Sequence, residues 1–171
     1  ILGAAAQQGA GLDEIEELAK KVLPNIKTIA VALSAATNPE VGKPGFVLKE
    51  DEIEYGVGIH SEPGYRREKI KSSKELVEEL VGKLNDEMHL DGRKKYACLV
   101  NGMGATPLME QYIFANDVLN KLDEFKIKPS FMKVGNYMTS LDMAGIFLNL
   151  FEIKDDKWLD YLNFPVKTIA W

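Results

Sequence analysis

Apolar positions along the chain fall into two periods, and together they predict helices alternating with strands. Ile15, Leu18, Ala19, Val22 and Leu23 share one helical face. Asp13 and Glu16 have capping-box spacing at its start, and Pro24 marks its end. Leu76, Val77, Leu80, Val81, Leu84 and Met88 form a second stripe behind Ser72 and Glu75, which repeat that spacing. A third stripe runs through Leu108, Met109, Tyr112, Ile113, Val118, Leu119 and Leu122, with Thr106 as N-cap and Pro107 at the first helical position. Between these lie strand patterns at 28–33, 96–100, 131–134 and 146–153, and one at 54–60 in which Tyr55, Val57 and Ile59 alternate with glycine. A last strand is expected at 166–171. The alternation predicts an α/β fold: two layers, with a mixed, mostly parallel sheet of about six strands. No linker or repeat divides it, so residues 1–171 are expected to form a single α/β domain.

Composition narrows the function. The chain carries 21 basic and 26 acidic residues, a net charge of −5. That balance argues against nucleic acid or a membrane surface as the main partner, since both call for a basic face. The single cysteine, Cys98, excludes an internal disulfide and a Cys-rich metal centre. No apolar run approaches the ~20 residues of a membrane span. The chain starts at Ile1 without a charged leader, which reads as a trimmed piece of a cytoplasmic protein.

Ligands of open α/β sheets gather beyond the carboxyl ends of strands. Three such ends are rich in glycine and polar residues: 60–67, 101–107 and 135–140. The first holds His60, one of two histidines. A neutral imidazole there could act as base, metal ligand or nucleophile, or could simply close a loop. His89 reads as a helix-end residue before Asp91-Gly92. The second end fits a tight strand-to-helix turn or an anion cradle. It matches neither the P-loop nor the full Gly-x-Gly-x-x-Gly pattern, because Pro107 stands where the third glycine belongs. Arg66 and Arg67 fit either a phosphate clamp or a solvated loop.

These segments together resemble the substrate-binding K domain of the dihydroxyacetone kinases. Gly56-Val57-Gly58-Ile59-His60-Ser61-Glu62-Pro63-Gly64 resembles the family's substrate-histidine segment, with Ser61 in place of a common glycine. Asn101-Gly102-Met103-Gly104-Ala105-Thr106-Pro107 is similar to its Asn-Gly-Leu-Gly-x-Thr-Pro loop. Gly135-Asn136-Tyr137-Met138-Thr139-Ser140-Leu141-Asp142-Met143-Ala144-Gly145 is close to its most recognisable run. The matches keep their order along the chain and cover the C-terminal half of that domain. The N-terminal half, with further substrate contacts, has no counterpart here.

The resemblance implies that His60 adds to the ketone carbon of dihydroxyacetone as a covalent hemiaminal, for phosphorylation of a terminal hydroxyl to dihydroxyacetone phosphate. Gly58, Ser61 and Glu62 are the accompanying substrate-loop candidates. It implies no metal and no cofactor on this chain, with ADP or ATP and Mg carried by a separate L subunit or domain. The phosphotransferase-system-linked form is the preferred type, and the ATP-dependent form the other. The expected partners are dihydroxyacetone, the L subunit or domain, the missing N-terminal half and a second copy in a homodimer. The isolated fragment is expected to be inactive. An alternative is a non-catalytic K-like paralogue that binds dihydroxyacetone and acts as a transcriptional co-regulator.

Overall fold

A computed structural model describes residues 1–60 and 62–171. The chain opens with two helices, α1 (Leu2–Gln7) and α2 (Leu12–Val22). β1 (Ile26–Ala32) follows, then a small ribbon of β2 (Thr37–Asn38) and β3 (Lys43–Pro44), then the hairpin β4 (Glu52–Tyr55) and β5 (Arg66–Lys69). Then come α3 (Ser73–Met88), β6 (Lys95–Gly102), α4 (Leu108–Glu124), β7 (Phe131–Gly135), β8 (Gly145–Ile153) and α5 (Asp156–Leu162). The main sheet has six strands in the order β5-β4-β1-β8-β6-β7. An α/β fold with a mixed six-stranded sheet is thus present, but it is not mostly parallel. Only β6 and β7 run parallel, joined by α4, whereas β8 lies antiparallel between β1 and β6 and β4 lies antiparallel to both β1 and β5.

The core follows from the period-2 burial of the central strands. Tyr96, Cys98 and Val100 of β6 and Ile146, Leu148 and Leu150 of β8 face α3 and α4, meeting Leu76, Leu80, Leu84, Phe114, Val118 and Leu122. On the opposite face Ala97, Phe151 and Ile153 meet Val22 of α2 and Trp158 of α5 at one end of the sheet, where the Phe151 and Trp158 rings stack 5.6 Å apart. At the other end Ala30, Ala32, Val57, Met103 and Met143 pack beneath loops. That loop end carries the site described below.

Several local expectations are corrected. The capping interaction of α2 runs from Gly11 N–H to Glu14 Oε2 at 2.8 Å, not between Asp13 and Glu16. Ser72 and Glu75 do form the capping box of α3. Thr106 does not cap α4: its hydroxyl accepts from Gly145 N–H and donates to Gly145 O, both at 2.8 Å, so Pro107 takes the cap position. Of the third apolar stripe only Val118 and Leu122 are buried, while Leu108, Met109, Tyr112, Ile113 and Leu119 are exposed. The helix turns inward the face of Phe114, Ala115, Val118 and Leu122, and on that face Gln111 donates to Thr106 O and Asn136 Oδ1. The 54–60 pattern is a strand only as far as Tyr55, since Gly56, at φ +79, turns the chain out of the sheet. Residues 166–171 form no strand, although Trp171 stacks on Phe131.

Candidate functional site

The ten residues between β4 and β5 form the hairpin connection that carries His60. Its base is closed by Tyr65 N–H donating to Tyr55 O at 2.9 Å, one step beyond the Tyr55–Arg66 pair of the ladder. Within it, Gly58 N–H donates to Glu62 O at 3.3 Å. Glu62 then folds back over the segment. Its Oε2 accepts from His60 N–H at 3.0 Å and its Oε1 lies 3.1 Å from His60 Nδ1. A Cβ at position 58 would overlap the Glu62 carboxylate, so glycine there is what lets the carboxylate lie against the backbone. Ser61 lies outside the described residues.

These contacts orient the ring. The Glu62 carboxyl is held below its usual range by its own backbone N–H, then by the His60 N–H and ring. An ionised carboxylate only accepts hydrogen bonds, so Nδ1 must be the donor. In the neutral ring the lone pair is then on Nε2. The His60 side chain is 80% exposed.

Around the ring lies an open cleft of ≈ 620 Å³, lined by Ala36, Asn38, Gly45, Ile59, His60, Thr139, Ser140 and Leu141. The structure therefore brings together the first and third of the three glycine-rich ends. Ser140 Oγ donates to Ile59 O, tying the 136–142 loop to the residue before the histidine. The second end, 101–107, does not reach the cleft but supports the loop that does. Asn101 Oδ1 accepts from both Tyr137 and Met138 N–H at 2.8 Å, and its Nδ2 donates to Met138 O at 2.6 Å. Asp142 directly follows the wall residue Leu141. It accepts from Thr37 N–H at 2.6 Å, which holds its carboxyl below the usual range and anchors the β2–β3 ribbon at the rim.

Other candidates do different work. The 101–107 loop does not fit a nucleotide phosphate, because the Met103 and Ala105 N–H groups are spent on Gly145 O and Met143 O. Arg66 pairs with Glu68 and Glu79 and stacks on Tyr55 at 4.5 Å. Arg67 pairs with Glu54. Neither arginine is a phosphate clamp. His89 ends α3 in the left-handed region. Among the described residues no cluster of His, Cys, Asp and Glu is placed to hold a metal ion, and no helix is long and apolar enough to cross a membrane. Ser140 lies in the 135–140 end that the sequence singled out, whereas sequence reasoning missed Ala36, Asn38, Gly45 and Leu141 as cleft-lining residues, Asp142 behind them, and Glu54 altogether.

With this geometry in view, the class is fixed by comparison. Residues 1–170 match the family model described as the Dak1 domain, and the chain belongs to that family. It is 67% identical over its whole length to the dihydroxyacetone-binding subunit DhaK of the PTS-dependent dihydroxyacetone kinase of Lactococcus lactis, covering 52% of that protein. It is 50% identical to the DhaKLM operon coactivator DhaQ of the same organism, again across the full chain and 52% of the relative. A solved structure of a dihydroxyacetone kinase operon co-activator superimposes with a TM-score of 0.91 at 50% identity, over 96% of this chain and 51% of the other. The chain spans about half the length of these curated relatives.

Proposed function

We propose that this chain is the dihydroxyacetone-binding part of a PTS-dependent dihydroxyacetone kinase, and that His60 captures the ketone covalently. The observation that carries the proposal is the Glu62–His60 contact, which in the neutral ring leaves the lone pair on Nε2 of a residue that lines an open cleft. That lone pair adds to the ketone carbon, and the C=O π electrons move to oxygen. Nδ1 gives up its proton and the oxygen gains one, leaving a neutral hemiaminal. The Glu62 carboxylate faces the ring while positive charge develops on it, which favours addition. A polyol has no carbonyl to accept the bond, so the step separates ketones from similar alcohols. The bound sugar then holds a terminal hydroxyl in a fixed position, and phosphoryl transfer is mostly positioning and charge stabilisation.

No residue of the cleft fits a nucleotide, so the phosphoryl donor comes from another subunit or domain. The rest of the substrate site belongs to the other half of the K domain, the whole acts as a homodimer, and the setting is the cytoplasm. A second reading, the operon coactivator, is supported by the 50% identical relative. The greater identity to the kinase subunit favours the first. The test is to supply the protein at its full natural length with a nucleotide-carrying partner subunit and dihydroxyacetone. The kinase reading expects dihydroxyacetone phosphate from the native protein and none from His60→Ala. A native protein that binds the ketone without turnover supports the coactivator, and one that ignores the ketone overturns both.

A further inference from the structure

Glu54 is a carboxylate in the wrong place for an ordinary sheet residue. Its side chain is 4% exposed, beneath the base of the His60 loop. Burying a charge is costly unless it is paired and hydrogen-bonded, and a neutral residue of similar size would pack there without that cost. Core packing therefore does not explain it. Its bonds do. Oε1 accepts from Gly64 N–H at 2.9 Å, at the closing end of the His60 loop. Oε2 accepts from Arg67 Nε and pairs with its Nη2, both at 3.1 Å, a forked contact. The third arm of the same guanidinium, Nη1, donates to Val47 O at 3.1 Å, and the group lies 5.8 Å from the Phe46 ring centroid. Residues 46 and 47 directly follow Gly45, which lines the cleft together with His60 and whose N–H donates to Ala36 O, another wall residue.

One buried carboxylate thus grips the histidine loop on one side and, through Arg67, the Gly45 wall on the other. Neither Glu54 nor Arg67 lines the cleft. We infer that the Glu54–Arg67 pair is a positioning clamp that sets the spacing between His60 and the Gly45 wall, and through it the affinity for the captured ketone. The inference rests on the proposed role of His60, and it assigns the arginine of the β5 strand a task other than phosphate binding. A pair that merely stabilised the fold would, when broken, lower the unfolding midpoint and leave capture by folded molecules unchanged.

The experiment uses the protein at its natural length and dihydroxyacetone labelled with 13C at the ketone carbon. Titrations follow the carbon signal from the carbonyl to the tetrahedral region, at a temperature where circular dichroism shows every variant folded. Glu54→Gln keeps an acceptor for Gly64 N–H but loses the charge, and a weakening of about tenfold is expected. Arg67→Met breaks both arms, and about 100-fold is expected, the scale of a 1 Å misplacement. Arg67→Lys keeps the charge without the fork and should fall between wild type and Arg67→Met, the partial rescue that marks positioning. Hydrogen exchange of the Gly45 amide, in the cleft wall, should quicken in Glu54→Gln. Wild-type affinity in folded Glu54→Gln and Arg67→Met, with Gly45 exchange unchanged, overturns the clamp. A wild-type protein that shows no tetrahedral carbon overturns the role of His60 instead, and the exchange data then still decide whether the two walls are coupled.

Discussion

Gly64→Ala adds one methyl group where the His60 loop closes. A Cβ at that position would overlap the carbonyl oxygen of Tyr55 and stand 2.6 Å from Glu54 Cγ. Both neighbours are held: Tyr55 O accepts from Tyr65 N–H, and Glu54 is pinned by Arg67. To reach the 3.4 Å of an ordinary contact the loop must open by about 0.8 Å at Glu54, and further at the carbonyl. Overpacking of this kind costs about 1–3 kcal/mol of stability. The larger effect falls on the site, because a shift near 1 Å in a reacting group lowers productive capture by about 100-fold. Calorimetric titration of the full-length variant with dihydroxyacetone, beside a urea midpoint, measures both. A Gly64→Ala protein with wild-type affinity, and a crystal structure showing the loop unmoved, would refute the steric reasoning.

Gly82 is the contrasting case. It sits inside α3, and an added methyl group there would meet no atom within 4 Å, so Gly82→Ala should raise stability by about 0.5–1 kcal/mol in thermal melts and leave ketone capture unchanged. Burial pushes the Cys98 thiol up to about 12, and the side chain faces the α3–α4 core. Iodoacetamide should therefore label the native protein negligibly at neutral pH and label it fully once urea unfolds it. Glu62 has a folded-state pKa below its unfolded value. The ordering it gives the loop is thus present above the ordinary carboxylate range, near pH ~4.3, and is lost as pH falls through the lower folded value. The His60 amide resonance should report that transition, and Glu62→Gln should abolish it.

Much of the frame was legible because burial is periodic. The 3.6-residue stripe of α3 and the apolar runs of β1, β6, β7 and β8 each survive in the structure. Strand direction was not legible. Alternating helices and strands suggest parallel pairing, but β8 enters between β1 and β6 and runs against both, reached from β7 by a loop instead of a helix. The polar strand β5 and the short helix α5 were missed. Arg66–Lys69 carries no apolar alternation, and α5 is short, with Asp155 as its N-cap through its bond to Lys157 N–H. The exposed stripe on α4 shows the same limit from the other side: α4 carries apolar residues on two faces, and the one with Phe114 and Ala115 turned inward.

The site divides similarly. His60 and Glu62 were legible as a local motif, two residues apart in one loop. The 135–140 end was legible as well, but only the fold reveals that Ser140 is tied to the histidine loop across 81 residues and Asp142 to Thr37 across 105. Glu54 was hidden because the sequence does not show that a carboxylate just before a glycine-rich loop turns inward to hold the loop's far end.

The central claim is a bond between His60 Nε2 and a ketone carbon. A crystal structure of the full-length protein soaked in dihydroxyacetone tests it most directly. Continuous density from Nε2 to a tetrahedral carbon is the expected result. A flat, unattached ketone in the cleft, or a ring turned so that Nδ1 faces the sugar, would contradict it.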